Sequence, residues 1–154
     1  MQVGSLAPDF TLIDQNGHAH VLSNYRGQWV FLYFYPQDDT PLCTTEACSV
    51  RDNWAVFERQ GIKVFGISAD SVESHALFQN KYHLPFTLLA DPDKTVMTQY
   101  EAWGEKNLYG RLVTGVRRSS VLIDPTGHIA FWYPRVHVKK HVAKVLSDLA
   151  TAQS

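Results

Sequence analysis

The sequence predicts an α/β fold, with a central mixed β-sheet flanked by helices and entered through an N-terminal β-hairpin. Three observations carry this. The runs "WVFLYFY" (29–35) and "IKVFGISAD" (62–70) are almost continuously apolar, as strands covered on both faces are. Segments with helical spacing of apolar residues alternate with such runs, the pattern of βαβ construction. Near the N-terminus, Asn16-Gly17 stands between two apolar-rich runs, the dipeptide a tight hairpin prefers.

Taken in order, "DFTLIDQNGHAHVLSNY" reads as the hairpin, with a type I′ turn expected at Asn16-Gly17. "WVFLYFY" lies between Gly27 and Pro36 and reads as a central strand. After it Cys43, Ala47, Val50, Trp54 and Phe57 recur at intervals of four and three, one stripe of an amphipathic helix. "IKVFGISAD" is the next buried strand, and Asp70, Ser71 and Glu73 give a capping signature for a helix through about Tyr82. "FTLLAD" is a third strand. "SSVLIDPTGHIAFWYP" forms a hairpin turning at Asp124-Pro125-Thr126-Gly127, and Val142, Val145, Leu146 and Leu149 mark a closing helix. No repeat, low-complexity stretch or compositional break divides the chain, so 154 residues with 45% hydrophobic content are expected to form one domain spanning 1–154.

With 14 basic and 15 acidic residues the net charge is −1, which offers no field for nucleic acid or an anionic membrane. No segment approaches the roughly 20 apolar residues of a membrane span, and "MQVGSLAPDF" lacks the features of a secretory signal. A cytoplasmic protein with small soluble partners is expected. In a reducing compartment a close cysteine pair points to redox cycling or metal binding rather than a permanent staple.

Both cysteines lie in "YPQDDTPLCTTEAC". Pro41 suits the first position of a helix, which puts Cys43 in the first turn, where unpaired backbone N–H groups and the helix dipole stabilise an anion. That placement favours a thiolate. Thr40 stands three residues earlier, within reach for its hydroxyl to donate to the sulfur or to an oxygen bound beside it. On burial preference alone, Cys43 reads equally well as a small apolar residue opening the stripe. Cys48 is turned about 140° from Cys43 on an ideal helix, with Cα atoms roughly 8 to 9 Å apart. A disulfide spans at most about 7 Å. If these sulfurs bond, at least one must leave the helix.

The segment "FYPQDDTPLCTTEACSVRDNW" resembles the active-site segment of peroxiredoxins, with Pro36, Thr40 and Cys43 filling the P-x-x-x-T-x-x-C motif. "CTTEAC", "WGEK" (103–106) and "RSSVLID" (118–124) resemble the bacterioferritin comigratory protein, or Q-type, subfamily, and the likeness runs from "GSLAPDFTLIDQNG" to the final helix. The resemblance implies a thioredoxin-like fold and a thiol peroxidase acting on hydrogen peroxide and organic hydroperoxides, in which Cys43 attacks the O–O bond and becomes a sulfenic acid. It further implies that Cys48 resolves this as a Cys43–Cys48 disulfide, reduced in turn by a thioredoxin-like dithiol. Thr40 and Arg118 match residues that bind the peroxide oxygens, Pro36 one that shields the pocket, and Glu46 an acid set one layer back. The motif spacing selects Arg118 and leaves Arg117 as a solvated strand-end charge. No metal or organic cofactor is implied, and a monomer is expected because no long cysteine-bearing tail follows the last helix. Leu42 departs from the subfamily, which usually has glycine there, and Ser49-Val50 replace a common Gly-Phe pair.

Two other classes fit parts of the chain. A thiol–disulfide oxidoreductase without peroxidase activity would share the fold but lacks its usual C-x-x-C. A metal-binding or regulatory module would draw on the seven histidines: His137 and His141 have one-face helical spacing, and His18 and His20 would share a strand face. Neither pair has an evident third ligand, so they are expected as surface histidines. Trp54 and Trp103 are expected in the core.

Overall fold

The computed structural model describes residues 1–153. Strands β1 (Thr11–Asp14) and β2 (Ala19–Val21) form the N-terminal hairpin, followed by β3 (Trp29–Phe34), α1 (Pro41–Asp52), α2 (Trp54–Arg59) and β4 (Ile62–Ser68). Then come α3 (Val72–Tyr82), β5 (Thr87–Ala90), α4 (Thr95–Gln99), β6 (Trp103–Leu108) and β7 (Arg111–Val116). The chain continues through β8 (Ser119–Ile123), β9 (Ile129–Tyr133) and α5 (Val138–Gln153). Seven strands make one mixed sheet in the order β2-β1-β5-β4-β3-β8-β9, while β6 and β7 pair only with each other. The β3–β4 and β4–β5 pairs are parallel, and β8 runs antiparallel to β3.

The apolar run in β3 is continuous because both of its faces are covered. Val30, Leu32 and Phe34 point into one cluster with Phe10, Leu12, Met97 and Tyr100, whereas Phe31 and Tyr33 point into a second with Cys43, Ala47, Val50, Phe57, Phe78 and Val145. Helices do lie on both faces, unequally. The buried apolar residues Cys43, Ala47 and Val50 of α1, Phe57 of α2, Phe78 of α3 and Val142, Val145 and Leu149 of α5 belong to the second cluster, and the first is closed by short α4 and the N-terminal segment. Gly66 in β4 makes room for this packing: a Cβ there would meet the Tyr33 ring tip at 2.9 Å.

Several local expectations change. The hairpin turn is not type I′, since only Gly17 has a positive φ (83°) and Asn16 does not. Gly17 N–H donates to Asp14 O and Asp14 N–H to His18 O, the three-residue loop in which a single left-handed residue closes a type I turn. Asp14 Oδ1 accepts from the N–H groups of Asn16 and His18, and this side-chain support favours that turn. The stripe from Cys43 to Phe57 is not one helix: the chain breaks at Asn53 (φ −105°, ψ 14°), whose Nδ2 donates to Ser49 O. The α3 cap is as expected, Ser71 Oγ accepting from Ser74 N–H at 3.1 Å.

Candidate active site

The parallel β3–α1 connection places the start of α1 at the C-terminal end of β3. Thr40 is the N-cap with extended backbone, Pro41 opens the helix, and Cys43 follows in the first turn with its side chain buried. The register of β8 supplies the rest. Phe34 pairs with Ser119, so Arg118, one residue before β8, lies beside the exit of β3 although it is 75 residues from Cys43 in sequence.

Arg118 forks between two residues of α1. Its Nη2 donates to Cys43 Sγ at 3.2 Å and its Nη1 to Glu46 Oε1 at 2.9 Å. Cys43 and Glu46 are three apart, hence neighbours on one helix face, and a planar guanidinium can serve both at once. Burial works against the Arg118 charge, but the Cys43 sulfur and the Glu46 carboxylate outweigh it and hold the guanidinium above its ordinary pKa. A fixed positive charge therefore stands on the sulfur. Burial raises the Glu46 carboxyl to about 7 in spite of Arg118, and among the described residues its Oε2 meets no hydrogen-bond partner.

Thr40 is not aimed at the sulfur as expected. Its hydroxyl donates to Gln37 O at 3.0 Å, closing the turn that leads into the helix. Pro36 is exposed at the start of that turn. Cys48 is half-buried on α1, and both thiols are free. It opens onto a shallow groove of about 460 Å³ lined by Thr44, Thr45, Ser49, Asp52 and Asn53.

A second cleft, of about 430 Å³, adjoins Arg118 and is lined by Leu42, Val136, His137, Val138, Lys139 and Lys140. Leu42 is 54% exposed there, which explains how a side chain replaces glycine without displacing the helix. Val136 and Val138 escaped sequence reading because "RVHVKK" has no signal beyond alternation.

Arg117 is half-exposed just before β8, and its guanidinium is also bound to backbone. Its Nη1 donates to Glu101 O at 3.1 Å and its Nη2 to Glu105 O, so it ties the β6–β7 hairpin to the chain before it. His141 is buried rather than on the surface, with Nε2 2.6 Å from Ser120 Oγ, and burial pulls its pKa down to about 4. His18 and His137 are exposed, while His20 lies between Asp14 and Tyr25. Trp54 and Trp103 pack against the two core clusters. One trio with metal-ligand chemistry does converge, Asp38, Asp70 and His75, with ligand atoms within 4.8 Å of one another. Both Asp38 oxygens and Asp70 Oδ2 are taken by Tyr35, Ser74, Ser68 and the Asp38 N–H, which makes the trio a hydrogen-bonded knot.

Residues 3–132 match the model of the AhpC/TSA family. The chain is 47% identical over 149 residues to the putative peroxiredoxin bcp of Coxiella burnetii, covering 97% of this chain and 99% of that protein. It is 40% identical to peroxiredoxin Bcp of Escherichia coli K12, covering 97% and 96% of the two chains. Among solved structures, a cysteine mutant of Xylella fastidiosa PrxQ superposes with a TM-score of 0.93 at 33% identity, covering 100% of this chain and 98% of that one. The Xanthomonas campestris bacterioferritin comigratory protein, described for alkyl peroxide reduction, gives 0.89 at 34% identity over 94% and 92%.

Proposed function

The chain belongs to the AhpC/TSA family, in its bacterioferritin comigratory protein or Q-type group, and is a thiol-dependent peroxidase of thioredoxin-like fold; from this premise we propose that Cys43 is its peroxidatic residue and Cys48 its resolving residue. The observation that carries the assignment is the Arg118 Nη2 contact on Cys43 Sγ at 3.2 Å. The Cys43 thiolate attacks one peroxide oxygen, the O–O bond breaks, and the sulfur is oxidised to a sulfenic acid. The departing oxygen takes up a proton and leaves as water or alcohol. Arg118 stabilises both the thiolate and the charge that develops on the departing oxygen. Pro41 and Thr40 hold the helix start open to the peroxide, and Pro36 covers its outer side. Glu46 holds the Arg118 guanidinium from behind.

The second step follows from α1. Both cysteines lie within Pro41–Asp52, five residues apart on one helix, so Cys48 reaches the sulfenic sulfur only after part of α1 unwinds. Its thiol then displaces water and forms the Cys43–Cys48 disulfide, and a thioredoxin-like dithiol restores both thiols by exchange. The break at Asn53 confines the unwinding to α1 and leaves α2 packed. Hydrogen peroxide and organic hydroperoxides are the substrates, with Leu42 and the adjoining cleft supplying apolar surface for an alkyl group. The protein works as a single-domain cytoplasmic monomer without a metal or organic cofactor.

Peroxide consumption with a thioredoxin system, run on wild type, Cys43→Ser and Cys48→Ser, tests the reading. Cys43→Ser should lose activity. Cys48→Ser should form one equivalent of sulfenic acid and then stall. Wild-type turnover in Cys43→Ser would overturn the assignment.

A further inference from the structure

The acid doublet Asp38-Asp39 fills the turn between β3 and α1, and both carboxylates are bound to α3, with Thr44 of α1 also reaching Asp39. The Asp38 side chain is 4% exposed and the His75 side chain 0%. Asp38 Oδ2 lies 2.7 Å from His75 Nδ1 and accepts from Ser74 Oγ at 2.8 Å, while Oδ1 accepts from Tyr35 Oη at 2.6 Å. His75 is fixed from its other side, Nε2 donating to Leu89 O in β5 at 2.9 Å. The Asp38 N–H donates to Asp70 Oδ2 at 2.8 Å.

One residue on, Asp39 has a left-handed backbone, φ 58°, a conformation that a non-glycine residue keeps only when its surroundings hold it. Lys81 Nζ and Tyr82 Oη supply the hold, each 2.7 Å from an Asp39 carboxylate oxygen. At the far end of α1, Arg51 Nη1 donates to Tyr82 O at 2.7 Å. The turn that ends in Thr40, and with it the first residue of the Cys43 helix, is thus stapled to the first and last turns of α3.

We propose that Asp38 and His75 are positioning residues for the peroxide step: through the β3–α1 turn they hold the start of α1 where Cys43 Sγ meets Arg118 Nη2. This rests on the assignment of Cys43 as the peroxidatic residue. Arg118 comes from β8 and Cys43 from the turn, so their separation depends on the turn being held against the sheet. His75 does this by fixing Asp38 Oδ2 to α3 through its Nδ1, 2.7 Å away. The Asp39 contacts with Lys81 and Tyr82 set the direction in which the chain enters the helix. Because α3 is the anchor, it stays in place while α1 unwinds, and the staple serves formation of the sulfenic acid rather than reduction of the disulfide.

Two substitutions at one position separate positioning from bulk stability. His75→Asn keeps an amide where Nδ1 meets Asp38 and loses the Leu89 bond, whereas His75→Gln does the reverse. The readouts are the single-turnover rate of hydrogen peroxide with reduced protein, corrected for the folded fraction, and the rate at which thioredoxin reduces protein oxidised beforehand. Asp38→Asn and His75→Gln should slow the peroxide step by about 10- to 100-fold, the range that a misplacement near 1 Å produces. His75→Asn should stay close to wild type, and disulfide reduction should be unchanged in all three. Tyr82→Phe, at the surface, should slow the peroxide step by a few-fold, and it decides the matter where the buried variants do not fold. A wild-type peroxide rate in folded Asp38→Asn, an equal loss in His75→Asn and His75→Gln, or a wild-type rate in Tyr82→Phe when only that variant folds, overturns the proposal. Cys43→Ser run alongside tells the two readings apart: if it consumes peroxide as wild type does, the site assignment fails together with the positioning claim.

Discussion

Arg118 Nη1 donates to Glu46 Oε1 at 2.9 Å, inside a site where the carboxyl is almost wholly buried. The pair sets how this protein responds to pH. Burial first, opposed by Arg118, takes the Glu46 carboxyl from 4.5 to about 7. Between those values the folded protein keeps a proton that the unfolded chain has released. By linkage the stability this gives is fully present below pH 4.5 and is lost as pH rises through about 7. His141 acts in the opposite sense, since burial lowers it from 6.5 to about 4. Its share is present above 6.5 and is lost as pH falls through about 4. Glu46→Gln should therefore unmask a denaturation midpoint that rises with pH between about 4 and 6.5, where the wild-type profile is flatter. Superimposable profiles would count against a titrating Glu46.

Arg118→Lys keeps a charge but cannot fork between Cys43 and Glu46. The second-order rate with peroxide should fall by about 10²- to 10³-fold, the usual effect of losing a preorganised donor at a reacting centre. Circular dichroism should show an unchanged fold. A drop of less than about threefold would mean that the Arg118 contact on sulfur is not what stabilises the transition state.

Leu42 stands at the mouth of the cleft beside Arg118. Leu42→Gly should lower the catalytic efficiency with an alkyl hydroperoxide more than with hydrogen peroxide, because only the former presents apolar surface to lose. The ratio of the two efficiencies is the measurement. An unchanged ratio removes Leu42 from substrate selection.

Ser120→Ala leaves His141 Nε2 buried without its partner at 2.6 Å. Urea denaturation should show a loss of about 1–3 kcal/mol, the penalty for an orphaned buried polar group. The peroxidase rate per folded molecule should stay at the wild-type level, since His141 lies in the α5 packing and not at the sulfur.

Tyr109 is 98% exposed with φ 52°, next to Gly110 at φ 81°, in the turn that joins β6 to β7. Both central residues of this turn are left-handed, which suits Asn-Gly far better than Tyr-Gly. Tyr109→Asn should raise stability by about 0.5–1 kcal/mol by relieving the Cβ clash of that conformation. Thermal unfolding checks it, and a lowered midpoint would contradict it.

Much of this was legible because it is encoded locally. The continuous apolar runs gave β3 and β4, and helical spacing gave the stripe from Cys43 to Val50. The Ser71 cap and the turn at Gly127 were read at their observed places, each signal lying within four residues of what it controls. Other features depended on neighbours brought in from elsewhere. The first hairpin turn differs from the type I′ form because Asp14 supports a turn that Asn16-Gly17 alone does not specify. His141 read as a surface residue until Ser120 in β8 and the rings of Tyr133 and Phe31 enclosed it.

By itself the sequence determined that one cysteine opens a helix, that the other lies too far along it to pair without unwinding, and that the surrounding motif is a peroxiredoxin's. Those are consequences of helical geometry and short-range residue order. Only the tertiary structure decided which groups touch the sulfur. It turned Thr40 toward Gln37, drew Arg117 onto backbone carbonyls, and brought Arg118 to Cys43 across 75 residues. The physical reason is the antiparallel β3–β8 register: a contact between distant strands depends on which residues pair, so the motif around Arg118 names the residue by resemblance and only the register supplies the contact.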